Sequence, residues 1–299
     1  MRIGAYITSI YDVNPIRGTF SADLWVWRIS KLKDKDSLNE TLDINYLSSE
    51  YPLKTSGYYR ENLNDEQKIE QFKVQGVFLH DFDMKGFPFD RQLLKIHFED
   101  SERDAAKMLY LADPSTDFDP AISIDGWKIK RVTAESQEKT YNTRFGIPSR
   151  PPAINYSRVD LTVELQRDSM SIFFKLTVGL FSAIVAALAT CAMPTRSDDI
   201  YTGRMALLSG SLLATIVSLQ YIDGLQGNTT TITLIDKLHL LGALVIIFLI
   251  GVTVRARFLV SLVDGENRSR QFDHRMFWYA LFFLIAAGTW FVIDAIKIH

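Results

Sequence analysis

The chain has 299 residues, a formal net charge of −2 at pH 7 and one cysteine. This length is sufficient for two ordinary domains, and the charge gives no sign of the basic surface that binds nucleic acids. The single cysteine, Cys191, excludes an intrachain disulfide. No paired Cys/His spacing indicates a zinc site, so we expect neither a metal nor a cofactor.

The first half of the chain reads as short β-strands separated by turns. "RIGAYITSIYDV" and "TFSADLWVWRIS" alternate apolar and polar residues, and "YDVNPIRG" joins them as a turn. The same alternation continues in "FKVQGVFLHDFDM", "RQLLKIHFE", "ISIDGWKIKRV" and "YSRVDLTVELQ". Short strands with turn signals at this spacing predict an all-β sandwich.

A proline-centred turn, "GFPFDRQ" at residues 86–92, stands between two of these strands. Proline holds the residue before it in an extended conformation, so Phe87, Pro88 and Phe89 predict a rigid loop. Asp90 follows directly. The sequence therefore predicts a tight turn that presents two aromatic rings and one carboxylate.

Charge becomes sparse after Arg167. Residues 169–299 contain 10 of the 33 Lys and Arg residues and 8 of the 35 Asp and Glu residues. We therefore predict two domains, residues 1–167 and residues 168–299.

Four apolar runs in the second domain reach the length of about 20 residues that a bilayer-spanning helix needs. They are "SMSIFFKLTVGLFSAIVAALATCAM", which ends at Met193, "MALLSGSLLATIVSLQYI", from about Met205 to Ile222, "LIDKLHLLGALVIIFLIGVTV", which ends at Val254, and "MFWYALFFLIAAGTWFVIDAI", from Met276. Four such runs with few charges are typical of a four-helix transmembrane domain rather than a soluble bundle.

Basic residues in the connections predict the orientation of this domain. The first and third connections carry the arginines, whereas "DGLQGNTTTIT" between the second and third helices has none; the arginines are Arg196, Arg204, Arg255, Arg257, Arg268, Arg270 and Arg275. We therefore expect a multi-pass protein of the cell membrane with the N-terminal domain and the C-terminus outside. Since "MRIGAYITSIYD" is not a signal peptide, we expect the chain to be a mature or trimmed form.

The second apolar run differs from the others in its serines, threonine and glutamine. Steps of four and three residues keep one set on a single helix face: Ala206, Gly210, Leu213, Val217 and Gln220. If several copies surround an axis, Leu213 and Val217 form apolar rings that stop ions by dewetting. Packing of small residues between helices is the alternative interpretation.

An intramembrane serine protease is a competing hypothesis for Ser209 and His239. Leu207 stands where such a site has a glycine, and the two residues lie near opposite ends of helices about 27 Å long. We therefore do not expect an enzyme.

"HDFDMKGFPFDRQLL" resembles the signature loop of pentameric ligand-gated ion channels, the Cys-loop receptor superfamily. Two cysteines bracket this loop in animal members; His80 and Leu94 stand there in this chain, as in disulfide-free prokaryotic members. "SIYDVNPIRGTFSADLWVW" is similar to the first two strands and their coupling loop. "RMALLSGSLLATIV" is similar to the pore helix, with Leu213 at the position of the gate leucine.

The resemblance implies a homopentamer in membrane lipid, whose second helices line a central pathway for ions. An extracellular β-sandwich would sense a ligand or another stimulus, and Leu213 and Val217 would form the gate. The residues implied in coupling the domains are Asp12, Phe87, Pro88, Phe89, Asp90 and Arg167, with Asp90 close to Arg167. Ordinary charges at loop ends are the alternative for the charged members.

The family's tryptophan-proline segment has no clear match, which leaves the stimulus open. Tyr141, Phe145 and Tyr156 are candidates for an aromatic cage that binds a cationic amine, or are ordinary loop aromatics. His80, His97 and His239 keep pH among the candidate stimuli, although a hydrogen-bonded structural histidine is the favoured interpretation for each. A non-conducting membrane sensor of the same architecture is the alternative function.

The sequence indicates ion selectivity less clearly than it indicates the architecture. The candidate residues at the two mouths of the pathway are Asp198, Asp199, Thr202, Gly203 and Asp223. Rings of carboxylates favour cations, so we expect a cation channel.

Overall fold

The computed structural model describes residues 1–34, 37–46, 51–226, 231–262 and 264–297. The chain divides into two compact units. One comprises Met1–Phe82 and Arg91–Arg167, and the other comprises Asp83–Asp90 and Asp168–His299. The loop Asp83–Asp90 is therefore grouped with the C-terminal helices, although strands precede and follow it in the sequence.

The described part of the first unit is built from β-strands and one short helix. Its elements are β1 (Arg2–Asn14), β2 (Thr19–Lys31), α1 (Leu38–Thr41), β3 (Leu42–Ile44), β4 (Lys54–Asn62), β5 (Gln67–Leu79), β6 (Arg91–Asp100), β7 (Leu111–Ala112), β8 (Asp117–Phe118), β9 (Trp127–Tyr141) and β10 (Ile154–Arg167).

These strands form two sheets around one apolar core. The first sheet has the order β4-β5-β2-β1-β7, with β8 also paired to β1, and the second has the order β3-β6-β10-β9. Alternate residues of β2 and β10, such as Leu24, Val26, Leu161 and Val163, are buried in the shared core. The prediction of a β-rich N-terminal domain with sandwich-like sheets is confirmed.

The inward row of the first sheet changes from apolar to charged at one end. Arg28 continues the buried row of β2, and its register partner on β5 is Glu70. Arg28 Nη2 lies 2.8 Å from Glu70 Oε2, and the buried Lys68 Nζ donates to the Asp34 carbonyl at 2.5 Å. Tyr58 donates its hydroxyl to Glu70 Oε1 at 2.8 Å.

Burial lowers the pKa of the Lys68 ammonium. Burial also works to raise the pKa of Glu70, but hydrogen bonds from Arg28 and Tyr58 outweigh it and hold that pKa below its usual value. Glu70 therefore stays ionised, and its single negative charge offsets part of the positive charge of Arg28 and Lys68.

Among the described residues of the second unit, four helices are long and apolar enough to cross a membrane. They are α2 (Ser169–Ala189), α3 (Asp198–Gln226), α4 (Leu234–Val260) and α5 (Gly265–Lys297), and a 3₁₀ turn, Thr190–Ala192, follows α2. The prediction of four membrane-capable helices is thus confirmed. A capping box of Thr233 and Asp236 begins α4.

The helices α3 and α5 are longer than the apolar runs that predicted them. α3 begins at Asp198, seven residues before Met205, and α5 begins at Gly265, eleven residues before Met276. The added turns contain Glu, Arg and Gln, which favour helix without being apolar. Because α4 also continues past Val254 to Val260, the arginines assigned to the third connection lie within α4 and α5.

The helices share a second apolar core. Leu180 and Ile184 of α2 pack with Val245 and Leu249 of α4. Gly242 permits this approach, because a Cβ added there would lie 2.6 Å from Leu180 Cδ1.

Candidate functional site

One face of α3 is not covered by the rest of the chain. Its exposed residues include all five of the predicted stripe, Ala206, Gly210, Leu213, Val217 and Gln220, together with neighbours such as Ser209 and Ile216. The exposed fractions of Leu213 and Val217 are 62% and 55%. All five residues of the stripe therefore lie on one accessible face, apolar in the middle and polar at the Gln220 end.

The opposite face of α3 is held by the neighbouring helices. Leu208, Ser211 and Thr215 are buried, and Leu208 belongs to the core shared with α2 and α4. Thr215 Oγ1 donates to the Ser211 carbonyl at 2.9 Å, which satisfies this polar group inside the helix.

A buried histidine connects α3 to α4. His239 Nδ1 lies 2.9 Å from the Ile235 carbonyl, and its Nε2 lies 3.1 Å from Ser218 Oγ. Since a carbonyl only accepts, Nδ1 carries a proton and donates to Ile235, and Nε2 is paired with the Ser218 hydroxyl. His239 is therefore paired with Ser218 rather than with Ser209, the residue of the protease hypothesis.

The other end of α3 is anchored by a buried ion pair. The Arg204 guanidinium, fully buried, donates to both carboxylate oxygens of Asp273 on α5, at 2.9 and 3.1 Å, and to the Met193 carbonyl at 3.0 Å. The guanidinium therefore points away from the exposed face. A bidentate contact of this kind also fixes the rotation of α3 about its axis.

The candidate selectivity residues lie at the beginning and the end of α3. Asp199, Thr202 and Gly203 are exposed in the first turns, and Asp198 forms an ion pair with Arg257 of α4. Thus Asp199 is the carboxylate of this end without an ion pair among the described residues. The side chain of Asp223 lies outside the described part of the chain.

The proline-centred loop packs within the helical unit. Met84, Phe87, Pro88 and Asp90 are buried, and the peptide bond between Phe87 and Pro88 is cis. Two turn hydrogen bonds close the loop, from the Phe87 amide to the Met84 carbonyl at 3.0 Å and from the Phe89 amide to the Gly86 carbonyl at 2.7 Å. The Phe89 ring lies 5.5 Å from the ring of Phe173 on α2, centroid to centroid.

The remaining coupling candidates lie in the β-rich unit. Asp12 is exposed on β1 with a φ of +50°, a left-handed conformation at an irregular point of the strand pairing. The Arg167 guanidinium lies 4.0 Å from the centre of the Trp127 ring. Asp12 and Arg167 therefore belong to one unit and Asp90 to the other. The expected proximity of Asp90 to Arg167 stays a prediction.

The three candidate ligand-binding aromatics do form one group. The Tyr141 ring centroid lies 5.7 Å from that of Phe145 and 5.6 Å from that of Tyr156. Arg158 donates to the Tyr141 hydroxyl at 2.9 Å and pairs with Glu99 at 2.9 Å. Burial, followed by the nearby Glu99, raises the pKa of Tyr141.

Arg158 already neutralises the carboxylate beside these rings. A cationic ligand would therefore bind through the ring faces and not through an unpaired carboxylate.

His97 and Asp160 form a polar pair on the second sheet, with His97 Nδ1 2.6 Å from Asp160 Oδ1. Gln137 donates to the other Asp160 oxygen at 2.6 Å. No cluster of side chains suited to hold a metal ion occurs among the described residues.

Sequence reasoning missed both buried charge clusters. For Arg28 and Glu70 the signal was available, since the alternation that places Leu24 and Val26 inside also places Arg28 inside. For Arg204 and Asp273, 69 residues apart, the sequence carries no comparable local signal.

Comparison with known proteins gives no match to a family model and no match to a curated protein.

Proposed function

We propose that the protein is a stimulus-gated, cation-conducting channel in which the exposed faces of α3 from several copies surround the ion pathway. The observation that carries this proposal is an uncovered face on a membrane-capable helix that exposes the polar residues Ser209 and Gln220 on either side of the apolar Leu213 and Val217. The number of copies, five, follows from the resemblance to pentameric ligand-gated channels.

The two most exposed helices differ in what they present. α5 exposes large apolar side chains, including Phe282 at 74% and Trp290 at 70%, which suits contact with lipid tails. α3 is the least apolar of the four spans, and its exposed residues include Ser209, Gly210 and Gln220. Polar groups within a membrane need water or protein as neighbours, which favours a water-filled space beside α3.

The middle of the same face supports a gate. Leu213 and Val217 are one turn apart, so copies around an axis would place two apolar rings about 6 Å apart along it. Such rings exclude ions when the pathway is narrow, because water leaves an apolar constriction. Rotation or tilting of α3 would widen them.

The charges at the beginning of α3 support cations. Arg204 is buried against Asp273 and so adds no exposed positive charge to this end, while Asp199 adds an exposed negative one. A ring of Asp199 side chains would raise the local concentration of cations.

Purified protein in planar bilayers tests this proposal. Currents are recorded in salt gradients while pH, calcium and organic amines are varied on each side. We expect stimulus-dependent current whose reversal potential approaches the cation equilibrium potential. Asp199→Asn should move the reversal potential towards zero, with Asp264→Asn, an acid outside α3, as the control.

Current that reverses at the anion potential would contradict cation selectivity. A protein that reconstitutes as an oligomer but passes no current under any of these stimuli would favour a non-conducting sensor.

A further inference from the structure

A cavity of about 880 Å³ opens where α2 ends and α5 begins. Leu188, Ala192 and Phe277 supply apolar wall, and the buried hydroxyls of Thr195 and Ser269, 3.2 Å apart, lie on another side. Its volume falls in the range of about 300 to 1,000 Å³ typical of ligand sites.

Both carboxylates that line the cavity are already paired with arginines. Glu266 forms an ion pair with Arg196, and Asp273 forms its bidentate pair with Arg204. Arg270 also lines the cavity and has no ion pair among the described residues. The lining therefore has one uncompensated positive charge, which suits an anion.

Three side chains on one face of α5, including that of Arg270, line this cavity. Arg270, His274 and Trp278 follow at intervals of four residues, so they share a face, and all three line the cavity. Trp278 Nε1 donates to His274 Nε2 at 3.2 Å, which leaves the His274 proton on Nδ1 as a further donor. The face thus passes from a cation to a donor and then to an aromatic ring.

We propose that this cavity binds the phosphate headgroup of an anionic membrane lipid. Arg270 would pair with the phosphate, His274 would donate to its oxygens, and the ring of Trp278 with Phe277 would contact the first part of an acyl chain. Basic pockets between membrane helices near the membrane surface suit anionic headgroups, and tryptophan suits the interface between headgroup and tail. This binding does not depend on ion conduction.

The site has a direct structural connection to α3. Asp273 lines the cavity, and its ion-pair partner Arg204 belongs to α3. A bound lipid would therefore stabilise the wall that holds the base of the proposed pore helix.

Equilibrium binding of tail-labelled phosphatidylglycerol to the full chain in non-ionic detergent tests the proposal. We expect unlabelled phosphatidylglycerol to displace the probe, whereas phosphatidylcholine and inorganic phosphate at matched ionic strength do not. Arg270→Gln should weaken binding about tenfold, equivalent to about 1.4 kcal/mol. Arg275→Gln is the matched control, because Arg275 is exposed on the same helix but does not line the cavity, and it should stay within about twofold.

Ala192→Phe provides a second variant that fills the cavity without changing charge, and it should also weaken binding. Equal losses in Arg270→Gln and Arg275→Gln would overturn the proposal in favour of general surface attraction. Displacement by phosphatidylcholine or by inorganic phosphate alone would overturn it as well. Lipid binding without current would leave this site intact and count against the proposed channel only.

Discussion

Leu213→Ala is expected to shift the proposed channel strongly towards the open state. The substitution removes three carbon groups, worth about 2.4 kcal/mol when fully buried at about 0.8 kcal/mol each. Since 62% of Leu213 is exposed in the single chain, contacts with other copies can contribute at most about 1.5 kcal/mol per copy. Five copies give an upper limit of about 7.5 kcal/mol, and about 5.5 kcal/mol moves a two-state equilibrium from 1:99 to 99:1.

The assay is single-channel recording of open probability across a range of stimulus strengths. Even half of this upper limit of free energy would lower the stimulus strength needed for half-activation many-fold. Leu207→Ala is the matched control, because Leu207 is also exposed on α3 but lies about 120° around the helix from Leu213. If Leu213→Ala leaves open probability and activation threshold unchanged, or if Leu207→Ala has the same effect, the assignment of the gate is refuted.

Two further predictions concern the β-rich unit. Glu70→Gln leaves the buried Arg28 and Lys68 without this counter-charge, so it should lower the free energy of unfolding by about 3–5 kcal/mol. Glu66→Gln is the control, because Glu66 is exposed, and it should change the thermal midpoint little. Equal midpoints for the two variants would contradict this prediction. Burial lowers the pKa of His80 in the folded chain. As the pH falls below about 6.5, His80 is therefore protonated in the unfolded chain before it is protonated in the folded chain, and the folded state loses stability. This loss should be reduced in His80→Gln in thermal unfolding between pH 5 and 7.5, and an unchanged pH profile would show that another group is responsible.

The architecture was readable from the sequence because its signals are local. Period-two alternation in β2 and β10 needs only one inside and one outside face, and runs such as that of α4 exceed the length of any ordinary core helix. Both patterns indicate which side chains of an element are buried in a core or a membrane. They do not state how many copies assemble, so the pentamer stays a prediction.

The charged pairs inside both units depend on non-local register. Arg28 meets Glu70 because β2 and β5 pair in one register, and a slip of β5 by one residue would turn Glu70 to the outer face and leave Arg28 inside without it. Arg204 meets Asp273 because α5 begins well before its apolar run. Apolar periodicity alone cannot predict such pairs, since a charged residue breaks the pattern that would locate it.

The stripe on α3 was predicted in part from the sequence. Its five residues were grouped by helical spacing alone, and the structure leaves that face uncovered. The spacing predicts which residues share a face. Whether that face lines a pathway depends on neighbouring copies, so its role stays a prediction.

The grouping of Asp83–Asp90 with the helices has a consequence for how this protein can be divided or recombined. The helical unit is discontinuous in sequence, and a fragment that begins at Asp168 lacks the loop whose Phe89 ring meets Phe173 on α2. The complementary fragment, residues 1–167, would carry an apolar loop without its partners. Chimeras between related chains should therefore exchange Asp83–Asp90 together with the helices, and this loop should vary in evolution with α2 rather than with the strands beside it.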